Sequence, residues 1–108
     1  QELLSKIGNI KPAYVGKNTR QTFQSYTCYV EKEEYRDKIR KALADENIQS
    51  QIGTYALHLE PAYKNMKKIG NLDNSTKLFN NALTLPLHKK LMVEDQEKIC
   101  DVIKNTLE

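Results

Sequence analysis

The stretch "TFQSYTCYVEKEEYRDKIRKALADENI", Thr22 to Ile48, changes its hydrophobic period midway, and that change decides the fold class. Thr22 to Val30 is rich in aromatic and β-branched residues. Phe23 and Tyr29 fall on one alternating face, and Tyr26, Cys28 and Val30 on the other. Apolar groups on both faces of a period-two run predict an interior β-strand. From Glu33 the period turns helical: Tyr35, Ile39, Ala42 and Leu43 share one stripe, charges fill the remainder, and acids lead the first turn. That pattern predicts an amphipathic helix with a single face to bury.

Upstream, the chain opens with "QELLSKI", whose Leu3, Leu4 and Ile7 have helical spacing, as though a helix were already under way. Asn9 to Gln21 holds Pro12, Gly16 and polar residues without period, and reads as an extended loop. Downstream, Ile48 to Thr54 reads as a short second strand near the surface. Pro61 in "EPAYKN" suits the first position of a brief helical turn. The loop "KKIGNLDN" follows, and Asp73 or Asn74 is then expected to cap a helix, "STKLFNNAL", with Leu78, Phe79 and Ala82 facing inward. Leu83, Leu85 and Leu87 alternate in "LTLPL", where Pro86 removes a ladder donor and so predicts an edge strand or a bulge. A last helix from about Val93 buries Val93, Ile99, Cys100, Ile103 and Leu107. The fold class expected is α+β: a small sheet of about three strands with helices packed on it, because each helix shows only one apolar stripe.

Composition narrows the function. The 108 residues make one ordinary domain, and 39% hydrophobic with 29% charged residues is a globular balance. No apolar run approaches the roughly 20 residues of a membrane helix, and no basic segment leads into an apolar one at the N-terminus. The expectation is a cytoplasmic protein without membrane association. Lys and Arg number 17 against 14 Asp and Glu, a formal charge of +3, and the two signs are interleaved along the helices. Such interleaving describes a solvated surface rather than a nucleic-acid footprint, which needs a segregated basic face. Cys28 and Cys100 lie in apolar periodic segments without CxxC spacing, and read as free thiols in the core.

One stretch invites a chemical reading. "IGTYALHLEPAYKNM", Ile52 to Met66, gathers Gly53, Tyr55, His58, Pro61 and Tyr63 within fifteen residues. No phosphate-binding glycine loop, no G-x-S-x-G elbow and no H-E-x-x-H occurs anywhere in the chain. His58 and His88 each adjoin a leucine, and taken alone each reads as structural, while Tyr55 and Tyr63 fit core-edge rings with wet hydroxyls. The doublets Lys67-Lys68 and Lys89-Lys90 read as exposed loop lysines. The residues alone reach a soluble α+β domain with one polar-aromatic loop.

Four blocks in order then carry a resemblance: "QTFQSYTCYV", "YRDKIRKALADENIQSQIG", "ALHLEPAYKNM" and "STKLFNNALTLPLHKKLMVEDQEKI". Together they resemble the C-terminal segment of the DegT/DnrJ/StrS family, pyridoxal-phosphate-dependent aminotransferases that act on keto sugars attached to nucleotides. Three positions depart from the family pattern. Asn47 replaces the usual glycine at the exit of the first long helix, Met92 or Val93 replaces the Ser or Thr cap of the last one, and Lys89 replaces a proline. Asparagine tolerates left-handed backbone angles, whereas the lost cap costs about 1 kcal/mol.

The resemblance implies the small C-terminal domain of a fold-type I aminotransferase, with residues 1–20 as the end of an interdomain helix and an extended loop, and 21–108 as the domain itself. It implies that pyridoxal phosphate and its lysine belong to a large domain outside this chain, so that the chain alone is inactive and holds no catalytic residue. It implies a keto sugar nucleotide and glutamate as substrates, amino-sugar and surface-polysaccharide biosynthesis as the setting, and a homodimer as the assembly. It further implies that Tyr55 and His58 contact sugar hydroxyls or diphosphate oxygens, with Gly53 permitting close backbone approach. For His58 two roles stay open, ligand contact and structural support; His88 stays structural. The competing reading is a non-catalytic regulatory module that binds a partner or nucleic acid, which a salt-sensitive shift of DNA would mark.

Overall fold

Tyr26–Val30 and Ala82–Leu85 become the two inner strands of a four-stranded sheet in the computed structural model, which describes residues 2–108. In chain order the elements are α1 (Glu2–Ser5), β1 (Ile10–Pro12), β2 (Tyr26–Val30), α2 (Tyr35–Asp45), β3 (Gln51–Ile52), two single 3-10 turns (Leu57–Leu59 and Pro61–Tyr63), α3 (Asp73–Asn81), β4 (Ala82–Leu85) and α4 (Val93–Leu107). The sheet order is β1-β2-β4-β3 with every pair antiparallel. Cys28 stands opposite Leu83, Tyr26 opposite Leu85, and Ile10 opposite Val30.

That register puts Cys28, Val30, Leu83 and Leu85 on one face, where they meet Ile39 and Leu43 of α2 and Ile99, Ile103 and Leu107 of α4. Leu4 of α1 and Ile10 of β1 close the end of this core. Val30, Ile39, Leu43, Leu83 and Ile103 are fully buried; each contributes about 1.5–3 kcal/mol through loss of apolar surface. The other face carries Thr27, Tyr29, Ala82 and Thr84. Thr27 and Thr84 join hydroxyls across it at 3.0 Å.

The interior strand and both long helices appear where the periodicity placed them. Asn47 takes φ 61 at the exit of α2; its N–H donates to Ala44 O at 2.9 Å, and that of Ile48 to Leu43 O at 2.9 Å. This paired arrangement satisfies the last carbonyls of the helix, so asparagine does here what a glycine commonly does at a helix exit. At the start of α4 the backbone N–H of Met92 donates to Asp95 Oδ2 at 3.0 Å, which restores half of a capping box and offsets part of the lost hydroxyl.

Four local expectations are corrected. The loop expected over Asn9 to Gln21 contains a strand, because Ile10–Pro12 pairs with the outer edge of β2. β4 is inner rather than an edge; it stops at Leu85, so Pro86 ends the ladder instead of interrupting it, and Leu87 is exposed. α3 begins after Leu72 with no side-chain cap, although Asp73 N donates to Asn71 Oδ1 at 2.8 Å. Leu78 and Val93 are exposed rather than inward, whereas Ala82 is buried and Phe79 half-buried as expected; α3 turns Thr76 and Phe79 toward its neighbours.

Candidate functional site

The run from Ile52 to Met66 leaves the sheet edge and folds back over α3. Gly53 N–H donates to Ala82 O at 2.8 Å, extending the β3–β4 ladder by one bond. A Cβ at Gly53 would lie 2.4 Å from Ala82 Cβ and 2.9 Å from Thr27 Cγ2. Glycine is therefore required for packing on the sheet, and the space its side chain would fill belongs to Ala82 and Thr27. Beyond it the chain makes two tight turns, closed by Leu59 N–H to Ala56 O at 3.0 Å and Tyr63 N–H to Glu60 O at 3.0 Å. Pro61 opens the second turn, where its missing N–H costs nothing.

Tyr55 and His58 are brought together along α3. The Tyr55 ring lies 6.1 Å from that of Phe79, tilted by 33°, and His58 Nε2 is 3.0 Å from Thr76 Oγ1. Thr76 and Phe79 are three residues apart on a helix and so share a face. Buried Ala56 pins the chain between the two rings. Tyr55 is 68% exposed and its hydroxyl is free to meet solute, whereas His58 is half-buried. Leu57, Tyr63 and Met66 are also exposed along the run, giving a surface of rings and aliphatic side chains with a few polar tips. The arrangement can bind and orient a polar ligand; among the described residues it holds no nucleophile–base pair.

His88 is exposed in the turn after β4 and contributes its carbonyl to Leu91 N–H at 3.2 Å, not its ring, so the buried structural role expected of it is corrected. Lys67, Lys68, Lys89 and Lys90 are exposed as expected. Cys28 is buried with its thiol toward Leu83 O at 3.5 Å, and burial pushes it up to about 12. Cys100 is half-buried, and burial also raises its thiol. It lines a separate apolar cleft of about 380 Å³ with Leu3, Tyr26, Leu85, Leu91 and Ile99, which shares no residue with the Tyr55–His58 run.

Arg36 escaped the sequence reading. It is buried at 5% exposure; its Nη1 donates to Phe79 O and, at 3.3 Å, to Ala82 O, while Nε meets Asp37 Oδ1 at 2.8 Å. A cation here supplies donors to carbonyls at the C-terminal end of α3, where the helix dipole favours positive charge. Asn81 anchors the same end, Nδ2 donating to Val30 O at 2.7 Å. An arginine in a highly charged helix normally reads as surface, and only the neighbouring carbonyls, remote in sequence, reveal its role.

No curated protein matches the sequence. Among solved structures, an aminotransferase of the DegT DnrJ EryC1 StrS type from Brucella abortus is 33% identical with a TM-score of 0.77; the match covers 96% of this chain and 27% of that one. A protein of Streptococcus pneumoniae described as the sugar aminotransferase Spr1654, solved in PLP and PMP forms, is 30% identical with a TM-score of 0.79, over 97% of this chain and 27% of the PMP-form chain. DesV of S. venezuelae, in complex with a ketimine intermediate, is 22% identical with a TM-score of 0.81 over 99% of this chain, a likeness of fold. The chain thus spans about a quarter of the length of these proteins. A model of the DegT/DnrJ/EryC1/StrS aminotransferase family matches residues 1–104, and the chain belongs to that family.

Proposed function

We propose that this chain is the small C-terminal domain of an enzyme that uses pyridoxal phosphate to move an amino group from glutamate to a keto sugar nucleotide, in the making of amino sugars for surface polysaccharide, and that the enzyme works as a homodimer in the cytoplasm. In this reading Tyr55 and His58 contact the sugar nucleotide. Gly53 lets the backbone hug the sheet so that both side chains reach α3. The observation that carries the reading is the pairing of Tyr55 and His58 on one face of α3, with the Tyr55 hydroxyl exposed. Family membership supplies the reaction class.

The residues present do not fit a cofactor pocket. All lysines are exposed, and the apolar cleft contains neither a lysine to bond the aldehyde nor a carboxylate to pair with a pyridine nitrogen. The large domain of the proposed enzyme supplies those groups, and this chain supplies binding and orientation. The regulatory alternative gains nothing from the structure, since acids remain interleaved with the exposed lysines.

Steady-state kinetics of the full-length enzyme test the reading. Tyr55→Phe is expected to raise KM for the keto sugar nucleotide several-fold and leave KM for glutamate unchanged, because one neutral hydrogen bond is worth about 0.5–1.5 kcal/mol. Equal effects on both substrates, or none, would contradict a contact with the sugar nucleotide.

A further inference from the structure

Counting hydrogens fixes the direction of the bond between His58 and Thr76. Thr76 Oγ1 lies 3.0 Å from His58 Nε2 and 3.1 Å from the Leu72 carbonyl oxygen. A threonine hydroxyl has one hydrogen, and a carbonyl oxygen can only accept. The contact with Leu72 therefore uses that hydrogen, in the back-bond a helical threonine commonly makes to the residue four before it. Leu72 O then accepts twice, from the Thr76 hydroxyl and from Thr76 N–H at 3.1 Å, which fills both of its lone pairs. The hydroxyl is left with lone pairs for His58, so Nε2 must carry the hydrogen. Had the hydroxyl turned to His58, two oxygens would face each other at 3.1 Å with nothing between them.

We infer that Thr76 is a positioning residue that fixes Nε2 of His58 as the hydrogen-bearing nitrogen, so that in the neutral ring the nitrogen offered to the candidate site is a bare Nδ1 that accepts from a sugar hydroxyl rather than donating to a diphosphate oxygen. The ligand half of this statement rests on the substrate-contact reading of His58 given above. Among the described residues no hydrogen bond occupies Nδ1. An acceptor facing a phosphate oxygen would set lone pair against lone pair, whereas a hydroxyl or an amine supplies the missing hydrogen. Thr76 thereby selects which part of a sugar nucleotide His58 can recognise, while itself touching only the ring behind the site.

The test is long-range proton–nitrogen NMR on the 15N-labelled 108-residue chain at pH 8.5, well above the ordinary imidazole pKa of about 6.5. Exposed His88 gives a solvated imidazole, averaged between tautomers, in the same sample. His58 is expected to show an unmixed Nε2–H pattern, kept in Thr76→Ser and replaced in Thr76→Val by averaged shifts like those of His88. An Nδ1–H pattern, or wild-type shifts equal to those of Thr76→Val, would overturn the assignment of the tautomer to Thr76. UDP-glucose and UDP, added to the 15N-labelled full-length enzyme in which the site is complete, then serve as probes of the ligand half. UDP-glucose is expected to move the Nδ1 signal upfield, with affinity falling about three- to tenfold in Thr76→Val; UDP alone should leave it in place. Movement by UDP alone overturns the choice of hydroxyl over phosphate. An Nε2–H tautomer fixed by Thr76 and silent to both probes removes the substrate contact and leaves the tautomer standing, which separates the two failures.

Discussion

At Cys28 burial decides chemistry. Burial holds its thiol at about 12 against an ordinary 9, and holds the Tyr26 hydroxyl at about 12 against 10, with the neighbouring Cys28 and Cys100 adding smaller upward pushes to Tyr26. Both are acids whose folded pKa lies above the unfolded one, so their contribution to stability is complete below about pH 9 and is lost as pH rises toward 12. The urea midpoint is expected to fall above pH 9, with each fully titrating group contributing at most about 1.4 kcal/mol per pH unit and Tyr26 less, because it is partly solvated. In Cys28→Ala the decline above pH 9 should be shallower, with the half-buried Cys100 thiol still contributing to it; the same slope in both proteins would contradict this assignment. At this scale the sequence was legible in kind but not in contact. Tyr55 and His58 stood out as hydrogen-bonding rings, yet their partners Phe79 and Thr76 lie 24 and 18 residues away. Gly53 was expected to permit close backbone approach to the sugar nucleotide; the neighbours its missing side chain makes room for are Ala82 and Thr27, which follows only from the sheet register.

Elements were legible in proportion to their length. α2 and α4 announce themselves over several turns of regular spacing, and β2 through alternation over five residues. β1 has three residues, one of them proline, and no period to read; it is a strand because β2 has a free edge beside buried Ile10. Pro86 was read as weakening a strand when it lies just beyond one. Arg36 is the clearest case of one element specified by another, since α3 ends against donors carried by α2. Arg36→Met keeps the apolar stem and removes the donors, leaving Phe79 O without its charged partner, at a cost of about 2–3 kcal/mol. The expected consequence is a melting temperature lower by about 10 °C or more, with Arg36→Lys recovering only part because an ammonium cannot reproduce the planar fork. Calorimetry decides it: an unchanged Tm would mean the guanidinium is not tying α2 to α3.

At the scale of the molecule, the chain carries more surface than a compact monomer of its size. Its accessible area is 8322 Å², whereas about 6,200 Å² is usual for 12.5 kDa. Its radius of gyration is 15.2 Å against about 13 Å for a compact domain of this length. The excess area is comparable to a substantial protein interface, and Tyr14, Leu57, Met66 and Ile69 are among the large apolar side chains left exposed. None of its helices, over the described residues, is long and apolar enough to cross a membrane. On the proposed reading this surface is met by the cofactor-binding domain and by a second subunit. The most direct test is the visible absorption of the full-length protein that carries this chain, followed while glutamate and then a keto sugar nucleotide are added. The account predicts a cofactor band that glutamate bleaches and the keto sugar nucleotide restores. A full-length protein with no such band, or one whose bleached band no keto sugar nucleotide restores, would contradict it.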